Sequence, residues 1–269
     1  MPELPEVEVT RRGLAPRLAG RHISAVIVRE PRLRWPVPTE VRSLAGRTVR
    51  AVNRRGKYLL LDCGDGHLIV HLGMSGSLRL VPPGTPAQKH DHFDLVLGDR
   101  TLRLRDPRRF GAVLWTSKAP DTHPLLCGLG LEPLSPALAP APLHALTRGS
   151  RVPVKQFLMD ARRIVGVGNI YASESLFRAG IHPRRRANRV SLKDCAKLAS
   201  AIKQTLRAAI RAGGSSLRDY VGADGVPGDF QSRTWVYARE GEPCRRCRTA
   251  IRRIVQAGRS SFYCPTCQR

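Results

Sequence analysis

Four cysteines near the C-terminus, Cys244, Cys247, Cys264 and Cys267, constrain the fold of this chain more than any other feature. Two Cys-x2-Cys pairs lie sixteen residues apart. Each pair can offer two thiolates to one tetrahedral ion, and the residues between can form a hairpin. All four ligand positions would be sulfur, which leaves none open for water. The spacing therefore points to one structural Zn2+ rather than a catalytic ion; two disulfides or four free thiols are the alternatives. A unit of about thirty-five residues cannot hold a core alone, so the metal would supply its folding energy. Cys63, Cys127 and Cys195 are scattered and read as small apolar residues. No secretory signal is visible, so a reducing compartment is expected.

Charge sets the class of partner. Lys and Arg total 46 against 21 acidic residues, a net charge of +25. A polyanion would bind such a chain with release of counterions. An anionic membrane is the rival, but no apolar run of about 18 residues is present. Arg245, Arg246, Arg248, Arg252, Arg253 and Arg259 decorate the cysteine unit, which suits a nucleic-acid clamp.

Residues 5–19 read as a short helix, with Glu6 and Glu8 near its start and Arg11, Arg12 and Arg17 toward its end, as the helix dipole favours. Strand-like segments follow at His22–Glu30, Thr48–Asn53, Tyr58–Cys63, Leu68–Leu72, Ser77–Val81, Phe93–Leu97, Thr101–Arg105 and Ala112–Trp115. Many short strands separated by turn residues predict an antiparallel β-sandwich. Leu131–Leu143 carries four prolines and reads as a linker or irregular crossing. Beyond it the spacing of Leu192, Cys195, Leu198, Ala199, Ile202, Leu206 and Ile210 predicts a helix. Ser191 and Asp194 form its capping-box-like start and Gly213-Gly214 its end. The expected organisation is α+β: residues 1–130 an N-terminal helix plus antiparallel β-sandwich, 131–150 a linker, 151–234 a helical domain and 235–269 a zinc-finger β-hairpin.

The N-terminus reads Met1-Pro2-Glu3-Leu4-Pro5-Glu6-Val7. Removal of Met1 would expose the secondary amine of Pro2. Such an amine can attack C1′ of a damaged nucleoside to give an iminium, an electron sink that permits β- and then δ-elimination of the flanking phosphates. Glu3 could act as general acid on the sugar ring oxygen. The same residues would also serve a plain helix start.

The segments PELPEVE at 2–8, RRGKYLLL at 54–61, HLGMSGSLR at 71–79, KHDH at 89–92, DPRRFG at 106–111 and VGVGNIYASESLFRAGIHP at 165–183, with the four-cysteine tail, resemble bacterial formamidopyrimidine-DNA glycosylases from end to end and in the family's order. The resemblance implies a β-sandwich, a helix–two-turn–helix domain and a zinc finger. It implies a bifunctional glycosylase and AP lyase that removes oxidised purines from damaged double-stranded DNA, a monomer of the bacterial cytoplasm held at the nucleoid through DNA. By it, Pro2 is the Schiff-base nucleophile, Glu3 the proton donor, Lys57 the proton donor for β-elimination, and Arg259 is assigned to δ-elimination. A guanidinium hardly ever gives up its proton, so Arg259 is better read as a phosphate clamp. Lys57, as a cation, could also lower the pKa of the Pro2 amine.

Excision requires the base to leave the stack. Met74, Arg108 and Phe110 match the family's wedge, in which apolar side chains enter between bases and Arg bonds the orphaned partner. His71, His90, Arg151, Asn169 and Tyr171 are the further expected DNA contacts, with Gly166 and Gly168 allowing close backbone approach before a helix. The family often carries Lys-Lys near 150–151, where this chain has Ser150 and Arg151; Lys155 matches the family's lysine farther on. Ser215–Gln231, rich in glycine, corresponds to the loop that covers the flipped base. Two rival readings stay open: an endonuclease VIII-like glycosylase for oxidised pyrimidines, and a non-catalytic zinc-ribbon nucleic-acid-binding protein.

Overall fold

Ser77–Val81 and Thr101–Arg105 are strands residue for residue as their alternation predicts, with Leu78, Leu102 and Leu104 turned inward. The computed structural model describes residues 2–215 and 228–269. The chain divides into two compact units.

The first unit comprises Met1–Gly128 with Ile210–Gln231. Helix α1 (Leu4–Leu18) precedes β1 (Ala25–Val28), β2 (Ala51–Arg55), β3 (Tyr58–Asp62), β4 (His67–His71), β5 (Ser77–Val81), β6 (Asp91–Val96), β7 (Thr101–Arg105) and β8 (Ala112–Thr116). They form two four-stranded antiparallel sheets, β1-β6-β7-β5 and β2-β3-β4-β8. Both feed one core: Leu59, Leu61, Leu68, Val70 and Val113 from one sheet, Leu78, Phe93, Leu95, Leu102 and Leu104 from the other, and Val7, Leu14 and Leu18 from α1. That is the expected sandwich. The polar start of β6, Asp91 and His92, escaped the apolar pattern: both are buried, Asp91 facing Arg103 at 3.5 Å and Arg105 at 3.7 Å, and His92 Nε2 meeting Asp106 O at 2.9 Å.

The second unit comprises Leu129–Ala209 with Ser232–Arg269. It holds α2 (Pro140–Arg148), α3 (Val154–Met159), α4 (Asn169–Ala179), most of α5 (Leu192–Arg211), β9 (Arg252–Gln256) and β10 (Arg259–Tyr263). Two differences from expectation appear. The proline-rich stretch contains α2, whose prolines fall in its first turn, where a missing N–H costs nothing. Leu131 also bridges Ile164, so the segment is packed rather than slack. The cysteine unit does not stand apart either: Cys244, Ile251, Cys264 and Val236 pack on Phe177 of α4. The Asp194 amide donates to Ser191 Oγ at 3.1 Å, as the start of α5 predicts. Most of the expected lesion-covering loop lies outside the described residues.

Candidate active site and nucleic-acid interface

Glu3 caps α1. Its N–H donates to Glu6 Oε2 at 2.8 Å while its carboxylate accepts the Glu6 N–H, a reciprocal capping box that orients both side chains. Pro2 and Glu3 are both buried. Glu6 Oε1 also accepts the Ser215 N–H at 2.8 Å.

One turn further on, Glu8 joins this helix start to the next element. It pairs with Arg11 (2.9 Å), Arg12 (2.8 Å) and Arg54 of β2 (3.0 Å). Arg54 in turn donates to Gly56 O at 2.8 Å. Gly56-Lys57 is the two-residue turn between β2 and β3, with Gly56 at φ 56. A chain of contacts thus runs from the helix bearing Pro2 and Glu3 to the turn bearing Lys57. Burial raises the Glu8 carboxyl, but its three arginine hydrogen bonds outweigh this and hold it at about 2. A lowered carboxyl pKa stabilises the fold above the unfolded value of 4.5, and that stability is lost as pH falls through 2. Glu8→Gln should therefore cost about 3 kcal/mol at pH 7, from about 1.4 kcal/mol per pKa unit. The Tm gap between the two proteins should shrink below pH 4.5 and close near pH 2; a gap constant with pH would contradict this.

His71 lies beside the Lys57 turn. Burial, then Lys57 and Arg34, push it down to about 4, so it is neutral at physiological pH. Its Nδ1 accepts the Gly73 N–H at 3.0 Å, which leaves the proton on Nε2 as a neutral donor.

The three residues expected to form a wedge, Met74, Arg108 and Phe110, are exposed. Met74 is 39% exposed and Phe110 42%. The Arg108 guanidinium lies 4.8 Å over the Phe110 ring. The two turns are in backbone contact, since a Cβ on Gly73 would come within 2.4 Å of the Phe110 carbonyl carbon. Arg32, Arg34, Arg108 and Arg109 surround an open basic surface beside Phe110. His90, in a left-handed conformation at φ 76, sits behind this region, its carbonyl accepting the Asp106 N–H at 2.9 Å.

In the second unit Asn169 opens α4 after Gly166 (φ 85) and Gly168. Its Oδ1 accepts from Lys155 Nζ at 2.6 Å and its Nδ2 donates to Tyr237 Oη at 3.4 Å, which fixes the amide. Lys155 is buried, and also donates to Ser260 O (2.9 Å) and Ser261 Oγ (2.7 Å) of β10. Arg259 is exposed at the start of the same strand, after the two-residue turn Ala257-Gly258. Arg151 is exposed whereas Ser150 is buried, so Arg151 is the residue of that pair able to reach a phosphate. Tyr171, the other expected contact on α4, is buried at 0% exposure.

The four cysteine sulfurs lie within 4.8 Å of one another, with Cys244–Cys267 at 4.0 Å and Cys247–Cys264 at 3.4 Å. Thiolates bound at about 2.3 Å to one tetrahedral ion stand about 3.8 Å apart. None is in a disulfide. Backbone N–H groups of Arg246 and Cys267 point at Cys244 and Cys264 sulfurs, each at 3.4 Å, as the hydrogen bonding around a thiolate site requires.

Two carboxylates escaped sequence reasoning. Glu174 is fully buried in α4 and accepts the N–H groups of Trp235, Val236 and Tyr237, each at 2.9 Å. Burial pushes its carboxyl up against those bonds. An acid on the otherwise apolar face of α4 was its only sequence signal. Asp106, inside DPRRFG, is the other. No helix among the described residues is long and apolar enough to cross a membrane.

Three family models match successive parts of the chain. The formamidopyrimidine-DNA glycosylase N-terminal domain matches residues 1–113, the formamidopyrimidine-DNA glycosylase H2TH domain residues 129–221, and the zinc finger found in FPG and IleRS residues 241–269. A Thiobacillus denitrificans protein named formamidopyrimidine-DNA glycosylase is 63% identical over 271 residues, with 100% of both chains covered. The MutM (Fpg) protein of Thermus thermophilus is similar in structure at TM-score 0.90 and 42% identity, over 99% of this chain and 98% of that one. A Lactococcus lactis Fpg mutant, solved in complex with a Fapy-dG containing DNA, gives TM-score 0.91 and 35% identity over 100% of both chains.

Proposed function

The chain belongs to the formamidopyrimidine-DNA glycosylase family, and on that premise we propose that it excises oxidised purines, such as 8-oxoguanine and formamidopyrimidines, from duplex DNA and then cuts the strand through a Schiff base at Pro2. The observation that carries this reading is the buried Pro2-Glu3 pair at the head of α1, oriented by the Glu6 capping box.

Once Met1 is removed, the Pro2 nitrogen lone pair attacks C1′. The neutral amine is the form that can attack. The glycosidic C1′–N bond breaks and the base leaves, taking up the proton that the Pro2 nitrogen releases. Glu3 gives a proton to O4′, the sugar ring opens, and the C1′–N bond to Pro2 becomes an iminium. Loss of a C2′ proton expels the 3′ phosphate; loss of a C4′ proton then expels the 5′ phosphate. Water hydrolyses the remaining iminium and frees Pro2. Lys57 supplies a proton for the β-elimination step, and Arg259 holds a flanking phosphate through δ-elimination. His71, His90, Arg151 and Asn169 position the backbone, while Met74, Arg108 and Phe110 fill the gap left by the extruded base. One zinc ion, held by the four cysteines, is structural and takes no part in the chemistry. The protein works as a monomer on damaged double-stranded DNA. We place it in the bacterial cytoplasm, at the nucleoid through that DNA.

Glu3→Gln separates the steps. It should lose base excision by about 10²–10⁴-fold, the usual weight of a general acid, yet still form a borohydride-trapped adduct on a preformed abasic site. Full excision by Glu3→Gln would remove the assigned role. Duplexes carrying 8-oxoguanine opposite cytosine should be cut faster than those carrying an oxidised thymine; the reverse order would favour the endonuclease VIII-like reading. The absence of any trapped adduct, with Met1 removed and lesion DNA present, would favour the non-catalytic binder.

A further inference from the structure

We propose that Asp106 is a positioning residue whose buried carboxylate locks the Met74 turn and the Arg108–Phe110 turn into one preformed wedge. The proposal rests on the reading of those three side chains as the wedge and extends it to the group that sets their geometry.

Asp106 follows β7 and is 0% exposed. Its Oδ1 accepts the Ser75 hydroxyl at 2.7 Å and the Arg108 N–H at 3.3 Å; its Oδ2 accepts the Gly111 N–H at 2.7 Å. Ser75 Oγ shares the Arg108 N–H at 3.2 Å. These partners bracket the wedge: Ser75 follows Met74, Arg108 is itself a member, and Gly111 follows Phe110. The Asp106 main chain adds to this. Its carbonyl accepts the Arg109 N–H at 3.2 Å and meets His92 Nε2 at 2.9 Å.

Three donors converge on its two oxygens, and an amide in their place would turn an N–H toward one of them. Among the described residues no Lys or Arg side chain pairs with it; its partners are one hydroxyl, one imidazole at the carbonyl, and backbone N–H groups. The cost of burying this polar group is met by bonds to turns whose wedge side chains remain exposed. Those turns have no slack. A Cβ on Gly111 would lie 2.9 Å from His71 O and 3.0 Å from Asp106 Oδ2. Arg109 is held at φ 55, a conformation L-residues rarely adopt. A wedge already in shape before DNA arrives avoids ordering two loops as the base leaves the stack.

The test compares Asp106→Asn and Ser75→Ala with the wild type. Three substrates are used: 8-oxoguanine opposite cytosine, 8-oxoguanine opposite an abasic gap, and a preformed abasic site in single-stranded DNA. Only the first has a partner base for the wedge to support. Asp106→Asn should lose about 10²-fold in kcat/KM on the paired duplex, the effect of misplacing a positioned group by about 1 Å. It should change little on the other two. Stopped-flow fluorescence of 2-aminopurine beside the lesion should show slowed extrusion. Ser75→Ala, which keeps the carboxylate and its bonds to Arg108 and Gly111, should show the same split with a smaller loss, and it decides the matter if Asp106→Asn fails to fold. Equal losses on all three substrates, or wild-type extrusion in both variants, would overturn the proposal. A Met74→Ala/Phe110→Ala variant separates the two readings. If it extrudes the base normally, the wedge reading itself fails. If it is slow while Asp106→Asn and Ser75→Ala are not, only the positioning role fails.

Discussion

A chain that retains a residue ahead of Pro2 will bind oxidised duplex DNA and fail to cut it. Acylation turns the secondary amine into a tertiary amide whose lone pair is delocalised into the carbonyl. The nitrogen is then no nucleophile, and no iminium can form. Glu3 does not replace it, since a carboxylate has no nitrogen with which to form an iminium, and Lys57 stands on a separate hairpin turn. Loss of a covalent nucleophile costs on the order of 10³-fold or more in kcat, and borohydride trapping should vanish with it. Affinity for lesion DNA should hold within about twofold, because the phosphate-facing cations are untouched. Pro2→Gly makes the contrast, since it keeps a free amine and should keep part of the lyase activity. Mass spectrometry of the N-terminus, read beside the cleavage assay, checks both. Undiminished cutting by protein whose front nitrogen is fully acylated would remove the mechanism.

What the sequence made legible follows from how each feature leaves its mark. The sandwich strands could be read because Leu78, Leu102 and Leu104 alternate with polar neighbours, and the cysteine site because four sulfurs at fixed spacing have few other uses. Helix α2 was hidden because Pro140 and Pro142 mimic a loop even though a first helical turn tolerates them. The hidden parts of the site share one physical cause. Asp106 and Glu174 spend their carboxylates largely on backbone N–H groups: Arg108 and Gly111, and Trp235 through Tyr237. A backbone amide is present at every residue but proline, so such a bond leaves no complementary side chain to be found along the chain. The burial of Tyr171 was likewise not legible, since its place in a glycine-flanked motif beside Asn169 says nothing of which way its ring turns.

Cys247→Ala should lose metal and DNA affinity in one step, and the reason lies in what the hairpin carries. Loss of one thiolate leaves three ligands where a structural zinc site needs four. Cys244 and Cys264 share a small cluster with Phe177, Val236 and Ile251, too few apolar residues to keep the unit folded without the ion. Strand β10 then loses its register. Arg259 goes with it, and so do Ser260 O and Ser261 Oγ, two of the acceptors that hold Lys155 Nζ against Asn169. The grip on phosphate from both the hairpin and the start of α4 therefore weakens together, although only one of them is near the mutated residue in sequence. Elemental analysis should show zinc falling from one per chain to near none. Affinity for lesion duplex should fall by about 10²-fold or more, and the slope of log K against log salt should flatten by about 0.9 for each phosphate no longer neutralised. Arg259→Ala alone should flatten the slope by a single phosphate's share and keep its zinc. The two variants thus separate the removal of a single clamp from the collapse of the element that presents it. Unchanged zinc in Cys247→Ala would overturn the four-thiolate site. Lost zinc with unchanged affinity and slope would show that the hairpin contributes nothing to holding DNA.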